Sequence, residues 1–478
     1  MLAKLRSMRD DVAREGQTRF DGWRPRIRRD EFSSAALNLA HYLAFRRRDL
    51  RDVQRELTGL GLSSLGRCES RVLPTLDAVL AALAAICGEA HAHFPEQTEF
   101  FAGETHLASE TDAVFGPPPS PRRVRIMVTL PSEAATDPLL VRALVEQGMD
   151  CARINCAHDD QLAWQAMIDN VRRAAESAGR PCRIAMDIAG PKIRTAAVEA
   201  PESHALRGGD SFLLARCAGD GKGNGVRVTC TLPEVFESLR VGDPVWVDDG
   251  RIGSHVEHID ADGATLRVTH ARTKGEHIKV DKGLNFPSTE LHISPLTTDD
   301  MRALDFVATH ADIVGYSFVA APRDVERLQT ELVRRNPEGH CPAIMLKIET
   351  ARAVRALPEL IVQAASLQPA AVMIARGDLQ VEIGPLRMAE IQEEVLWVCE
   401  AAGIPVVWAT QVLDRLVRKG IASRAELTDA AMGERAECVM LNKGPFLREG
   451  VKLLDAVLEE MEAHQFKKTA QLRALHSW

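Results

Sequence analysis

Several common signals are missing from this sequence. No two of its 10 cysteines form a C-x-x-C pair, and most lie inside apolar runs such as "PCRIAMDI" and "ECVMLN". They read as reduced core residues, which argues against structural zinc and against a disulfide framework. No apolar stretch is long enough to cross a bilayer. The longest candidate, Val72 to Cys87, is broken by Pro74 and Asp77 and falls short of the ~20 residues a span needs. The first residues lack the apolar core of a secretory signal, and Asp10, Asp11, Glu15 and Asp21 interrupt an arginine-rich stretch that a transit peptide would keep free of acid. A soluble, cytoplasmic protein with no membrane partner is the expectation. Positive charge is not in excess: 59 Lys and Arg against 67 Asp and Glu leave a net charge of -8, which gives no general attraction to nucleic acid. There is no Walker sequence and no G-x-G-x-x-G, so any nucleotide is gripped without either fingerprint. No solenoid period or extended low-complexity tract appears.

What is present is a chain of 478 residues, 45% hydrophobic and 26% charged, the profile of a soluble globular protein with room for about three domains. Residues 1–115 carry apolar residues at three- and four-residue spacings, as in "SSAALNLAHYLAFRRRDLRDVQREL" and "VLPTLDAVLAALAAIC", which predicts a helical N-terminal region. The Pro-rich "GPPPSP", residues 116–121, reads as a linker. Beyond it, eight short apolar runs alternate with amphipathic helices: "RIMVTL", "ARIN", "RIAMDI", "DIVGYSF", "AIMLKIE", "AVMIARGD", "PVVWATQ" and "CVMLN". Continuous apolarity suits parallel strands covered on both faces, and eight βα units are what a (β/α)₈ TIM barrel requires, here over residues 122–196 and 285–478. Between the third and fourth runs, residues 197–284 alternate apolar and polar positions around "DDGR" and "DADG" turns, which predicts an inserted β-rich lid domain. After the eighth run, "REGVKLLDAVLEEMEAHQF" reads as a single helix.

Barrels of this kind place their chemistry at the carboxyl ends of the strands, where the unusual polar residues fall: Arg153 and Asn155, Asp187, Ser317, Lys347 and Glu349, Asp378, then Thr410 and Gln411. In "LKIE", Lys347 and Glu349 stand two apart and share one face of a strand. Burying each ion unpaired costs several kcal/mol, so both together mark a structural ion pair or a site. Glu349 and Asp378, on neighbouring strands, form a hard oxygen pair suited to Mg²⁺ or Mn²⁺ with open positions for substrate. Lys347 and Arg153 bring positive charge toward whatever anion the metal holds, as phosphoryl transfer requires. Gly377 lets backbone amides approach a small anion.

These residues, in this order, resemble the pyruvate kinase family over roughly three quarters of the chain, through "GMDCARINCAHDD", "MDIAGPKIRTA", "VWVDDGRIGSHV", "KGLNFP", "LKIETARAV", "MIARGDLQVEIG" and "WATQVLDRLV". The resemblance implies transfer of phosphoryl from phosphoenolpyruvate to ADP, giving ATP and enolpyruvate, which is then protonated. It implies Lys347 as the cation on the phosphoryl in flight, Glu349 and Asp378 as Mg²⁺ ligands, and Arg153 as the phosphate-binding arginine. Thr410 stands beside the enolate carbon, Arg194 and His158 contact nucleotide, and Asp249 and Lys282 belong to the lid and its hinge. Most relatives bind K⁺ through an N-x-S motif and an Asp-Thr pair and carry Glu after Gly-Pro. Here Asn155 and Asp187 remain, but the other positions hold Ala157, Ile188 and Lys192. The expectation is K⁺-independent activity, with the Lys192 ammonium substituting for the ion and Asp187 as its counter-charge. The chain departs from the family in "TLPSEAA" after the first strand, in Leu346, and in the loop Asn442, Lys443, Gly444, Pro445. The family's C-terminal effector domain has no counterpart in these residues, so control by fructose bisphosphate is not expected; a homo-oligomer, the dimer in particular, is. The competing readings are a non-catalytic binding or regulatory protein and a Mg²⁺-enolate lyase or aldolase.

Overall fold

The structure is a computed structural model that describes residues 1–89, 93–201, 205–219, 225–291, 293–337, 339 and 341–471. Three strands come first, β1 (Arg125–Thr129), β2 (Cys151–Asn155) and β3 (Arg183–Ile188). A separate sheet follows: β4 (Thr195–Glu199), β5 (Ser211–Ala215), β6 (Val226–Cys230), β7 (Pro244–Val247), β8 (Ile252–Ile259), β9 (Gly263–His270) and β10 (Leu284–Asn285). The first architecture then resumes with β11 (Ile313–Tyr316), β12 (Ala343–Ile348), β13 (Ala370–Ala375), β14 (Val406–Ala409) and β15 (Cys438–Leu441). Strands β1 to β3 and β11 to β15 are parallel neighbours and close into a barrel of order β1-β15-β14-β13-β12-β11-β3-β2. The sheet inserted after β3 has the order β10-β7-β8-β9-β5-β6-β4 and its own core around Phe212, Val228, Val245 and Leu266.

The barrel forms because its strands are apolar on both faces. Every residue of β1, β11, β12, β13, β14 and β15 is buried, one side against the helical ring and the other in the lumen. The lumen is packed with Met127, Cys151, Ala185, Met345, Met373, Val407 and Met440, together with Val114 and Phe115. The last two belong to the helix Ala102–Phe115, which closes the amino-terminal end of the barrel. Only the carboxyl-terminal mouth is left for a site.

The N-terminal helices pack onto the barrel's outside. Trp23 donates its indole N–H to Glu359 at 2.8 Å, Asn38 donates to the Ala401 carbonyl at 2.8 Å, and the Arg46 guanidinium lies over the Trp397 ring. Several of the arginines that make this region look basic are paired: Arg9 with Asp77, Arg26 with Glu359, Arg29 with Glu110 and Arg48 with Glu15. The long helical pattern over residues 33–57 is two helices, Asp30–Phe45 and Arg51–Gly59. Between them the Asp49 carboxylate accepts from the Arg51 amide at 3.1 Å, a local bond that competes with helix continuation. The final pattern also differs from a single helix: Leu447–Glu462 is helical, and Gln465–Phe466 turns back to pair with Thr469–Ala470. No helix of the described residues is long and apolar enough to cross a membrane.

Candidate active site

At the barrel mouth the strand ends deliver a closed ring of charge. Lys347, near the end of β12, is 8% exposed. Its ammonium donates to Ser317 Oγ at 2.7 Å and lies 3.2 Å from Glu349 Oε1 and 3.3 Å from Asp187 Oδ2. Burial lowers the Lys347 pKa, but Glu349 and Asp187 outweigh it and the group is held above its ordinary value. Asp187 in turn takes Arg153 through both Nε, at 2.9 Å, and a terminal nitrogen, at 2.7 Å, while the other terminal nitrogen of Arg153 donates to Thr129 Oγ1 at 2.9 Å. Burial pushes the Asp187 pKa up, and the charges of Arg153 and Lys347 with their hydrogen bonds bring it below the usual carboxylate range. Its second oxygen, Oδ1, is buried with no hydrogen-bond partner.

That oxygen fits only because residue 315 is glycine. A Cβ there would sit 2.0 Å from Asp187 Oδ1. A glycine inside a buried strand marks such a close approach, and the "IVGY" run carried that signal. Ser317 Oγ donates to the Ile188 carbonyl at 2.7 Å, so this hydroxyl ties β3 to the loop after β11 while accepting from Lys347. The next residue, Phe318, has φ of 57° and points its amide at Glu349 Oε2, 2.6 Å away. A non-glycine residue at positive φ costs about 1 kcal/mol or more and needs surrounding structure to hold it.

Glu349 follows β12 directly, whereas Asp378 lies past the end of β13, in the first turn of the helix Arg376–Ile383. Burial raises the Glu349 pKa; Lys347 opposes the rise and the Asp378 charge adds to it. Each of the two carboxylates already holds a lysine, Glu349 Lys347 and Asp378 Lys192, and one or two carboxylates are what Mg²⁺ usually takes from protein. Among the described residues no group of three or more His, Cys, Asp and Glu is placed to hold a metal.

Thr410 and Gln411 follow β14 at φ of 64° and 60°. The Thr410 hydroxyl accepts from the Gly377 amide at 2.8 Å and donates to the Ala409 carbonyl at 2.7 Å. The turn is clamped by Arg376, which donates to the carbonyls of Ala409 and Thr410 and pairs with Asp429.

Lys192 corrects the reading from sequence. Its ammonium bonds Asp378 Oδ1 at 2.6 Å, not Asp187, whose carboxylate is already taken by Arg153 and Lys347. Asn155 is half-buried beside Asp187 across the β2–β3 pair, and its side-chain oxygen accepts from the Ala157 amide at 3.2 Å. The remaining candidates lie around the lid. Arg194 sits on the outgoing hinge strand, bridged to Gly283 on the returning one, and donates to the Asp281 carbonyl at 3.1 Å. Lys282 is 3.1 Å from Asp248 Oδ1. Asp249 is exposed in the Asp248–Gly250 turn, and His158 is exposed in the loop after β2.

A family model described as the pyruvate kinase barrel domain matches residues 121–445. This chain belongs to the pyruvate kinase family. It is 33% identical over 363 residues to human "Pyruvate kinase PKLR", covering 72% of this chain and 61% of the relative. It is 32% identical over 324 residues to a pyruvate kinase of Mycobacterium intracellulare, covering 67% and 65%, and 30% identical over 337 residues to one of Encephalitozoon cuniculi, covering 68% and 73%. The chain thus spans about three fifths of the human relative's length. The family match takes in every strand of both sheets described above, the whole Lys347 ring and the loop Asn442–Pro445, and leaves the N-terminal helices outside it.

Proposed function

We propose that this chain transfers the phosphoryl group of phosphoenolpyruvate to ADP and that the enolpyruvate formed is protonated at carbon to give pyruvate. The observation that carries this is a buried, charged lysine bonded between Asp187 and Glu349 at the open end of a closed barrel. Phosphoryl transfer needs fixed positive charge where the migrating group passes. Lys347 supplies it, held charged by its two carboxylates. Arg153, steadied by Asp187 and Thr129, keeps further N–H groups for the substrate phosphate. Gly377 brings backbone close to the same anion. Thr410 holds a hydroxyl proton at the mouth, where the enolate carbon receives its hydrogen.

Glu349 and Asp378 are the residues that would hold Mg²⁺ or Mn²⁺, whose charge, when the ion is bound, stabilises the phosphoryl oxygens. Arg194, His158, Lys282 and Asp249 are assigned to the nucleotide, the first and third because they stand on the hinge of the lid. K⁺ is not needed on this reading: Ala157 and Ile188 offer no side-chain oxygen, and Lys192 already places a positive charge in the ring.

The test is a lactate dehydrogenase-coupled assay with phosphoenolpyruvate, ADP and Mg²⁺ on wild type and Lys347→Met. ADP-dependent pyruvate formation that disappears in the variant is expected. Absence of turnover in the wild type, or pyruvate formed from another oxo-acid without ADP, overturns the assignment.

A further inference from the structure

Beside the Lys347 ring, a cavity of about 810 Å³ opens between the returning lid hinge and the loops after β11 and β12. Its lining contains Arg323, Arg327, Arg352 and Arg355, and it shares only Lys192 with the proposed catalytic machinery; Lys347, Arg153, Asp378 and Thr410 do not reach it. The arginines come from the first two turns of two helices. Arg323 and Arg327 are four apart on Pro322–Arg335, and Arg352 and Arg355 are three apart on Ala351–Ala365, so each pair shares a helix face. Both helices bring their positive amino-terminal ends to the same space.

The carboxylates nearby answer this charge only in part. Asp324 Oδ2 is occupied by the amides of Ala320 and Ala321, at 3.0 and 2.8 Å, and its Oδ1 lies 3.9 Å from Arg323 Nε. Glu290 is 70% exposed and stands 3.8 Å from Arg352. Glu382 is pushed by burial up to about 7 and is partly protonated at neutral pH. Arg327 donates to a neutral hydroxyl, Ser294 Oγ, at 2.9 Å. Arg355 has no hydrogen-bond or ion-pair partner among the described residues. The same lining includes Phe286 from the hinge and Phe318 from the barrel.

We propose that this cavity binds a small organic phosphate, its phosphate on the arginines and its apolar body against Phe286 and Phe318, at a place separate from the phosphoryl-transfer ring. Guanidinium groups match phosphate oxygens in pairs, and the volume suits a ligand of that class. One wall is the strand on which the lid returns, so an occupant ties lid to barrel. The proposal goes beyond the assigned reaction and is read by binding alone.

The probe is phenyl phosphate, titrated calorimetrically into the full chain and compared with inorganic phosphate. One phenyl phosphate per chain is expected, bound roughly tenfold more tightly than inorganic phosphate because the ring finds an apolar wall. Arg352→Ala and Arg355→Ala should each weaken it about tenfold, the loss of one charge-assisted hydrogen bond, with an unchanged melting temperature. Lys347→Met should still bind it, and ADP should not displace it, an arm that stands even if that variant fails to fold. No binding up to about 10 mM, a level that corresponds to less than about 3 kcal/mol, overturns the proposal. So does binding indifferent to both arginine substitutions, lost in Lys347→Met, or displaced by ADP.

Discussion

Replacing Lys347 by methionine keeps the volume and removes one charge, so its effects can be worked from distances. The ammonium is 3.2 Å from Glu349 and 3.3 Å from Asp187. At an effective dielectric of about 20, each contact is worth roughly 5 kcal/mol of Coulomb attraction before desolvation is subtracted. Removing one member of a buried ion cluster costs about 3–5 kcal/mol of stability, since the partners stay buried and uncompensated. Glu349 limits that loss. Its pKa is already raised by burial, and without Lys347 it rises further, so the group takes up a proton instead of remaining a bare anion. A carboxyl whose folded pKa exceeds its unfolded value makes stability fall as pH rises between the two. The deficit of the variant relative to wild type should therefore widen as pH rises above the ordinary carboxylate range, measured by thermal melts at matched ionic strength. Turnover should drop by about 10³ to 10⁵, the scale for loss of a cation from a phosphoryl-transfer site, or about 4–7 kcal/mol of barrier. A variant keeping a tenth of wild-type kcat, or a deficit that narrows toward high pH, would refute the reasoning.

Phosphoenolpyruvate turnover should be the same with and without K⁺ at constant ionic strength, and strong activation by K⁺ sinks the substitution argument. In Lys192→Gln, turnover should fall and K⁺ should not restore it, because Ala157 and Ile188 provide no ligands. Glu382, with a pKa of about 7 caused first by burial, costs stability as pH climbs from about 4.5 to about 7, so Glu382→Gln should raise the melting temperature more at pH 8 than at pH 5; an equal shift at both contradicts this. Phe115→Ala should lower stability in urea by about 3–5 kcal/mol, since the ring is 2% exposed at the foot of the lumen, while kcat per folded molecule stays unchanged; a collapse of kcat would mean the two ends of the barrel are coupled.

The barrel was legible because burial on both faces leaves no room for alternation: a parallel strand such as β13 reads as an unbroken apolar run. Lys347 and Glu349 were legible for the complementary reason, since two charges inside such a run are costly unless each answers the other. What could not be read was which partner a charge would find. Lys192 stands five residues from Asp187 and looked like its counter-ion, yet its bond goes to Asp378, 186 residues away, because the hinge carries it across the mouth toward β13. Thr129 and the Phe318 amide were missed for a similar cause. A strand-end hydroxyl and a backbone N–H carry no pattern in sequence until the register of β1 against β2 and the turn after β11 aim them. Gly315 did carry a signal, as a glycine where a buried strand had no turn to make.

The charge count of the ring bears on how the proposed substrate would be balanced. Three cations, Arg153, Lys192 and Lys347, face three carboxylates, Asp187, Glu349 and Asp378, and each cation is within 3.3 Å of a carboxylate oxygen. Such a ring is electrically closed. A substrate bearing both a phosphate and a carboxylate would enter it with its own charge unbalanced, and low polarity at the mouth magnifies that imbalance. Lys347 and Arg153 can turn spare N–H groups toward it, but their charges are already shared with Asp187 and Glu349. On the proposed assignment, Glu349 and Asp378 would hold a divalent ion whose charge would offset the substrate's, and Lys192, which rests on Asp378 in this structure, would then be free to turn toward the anion. In this ring the Lys192 charge has a carboxylate to rest on, Asp378, and on the proposed assignment it would have an anion to meet when substrate is bound.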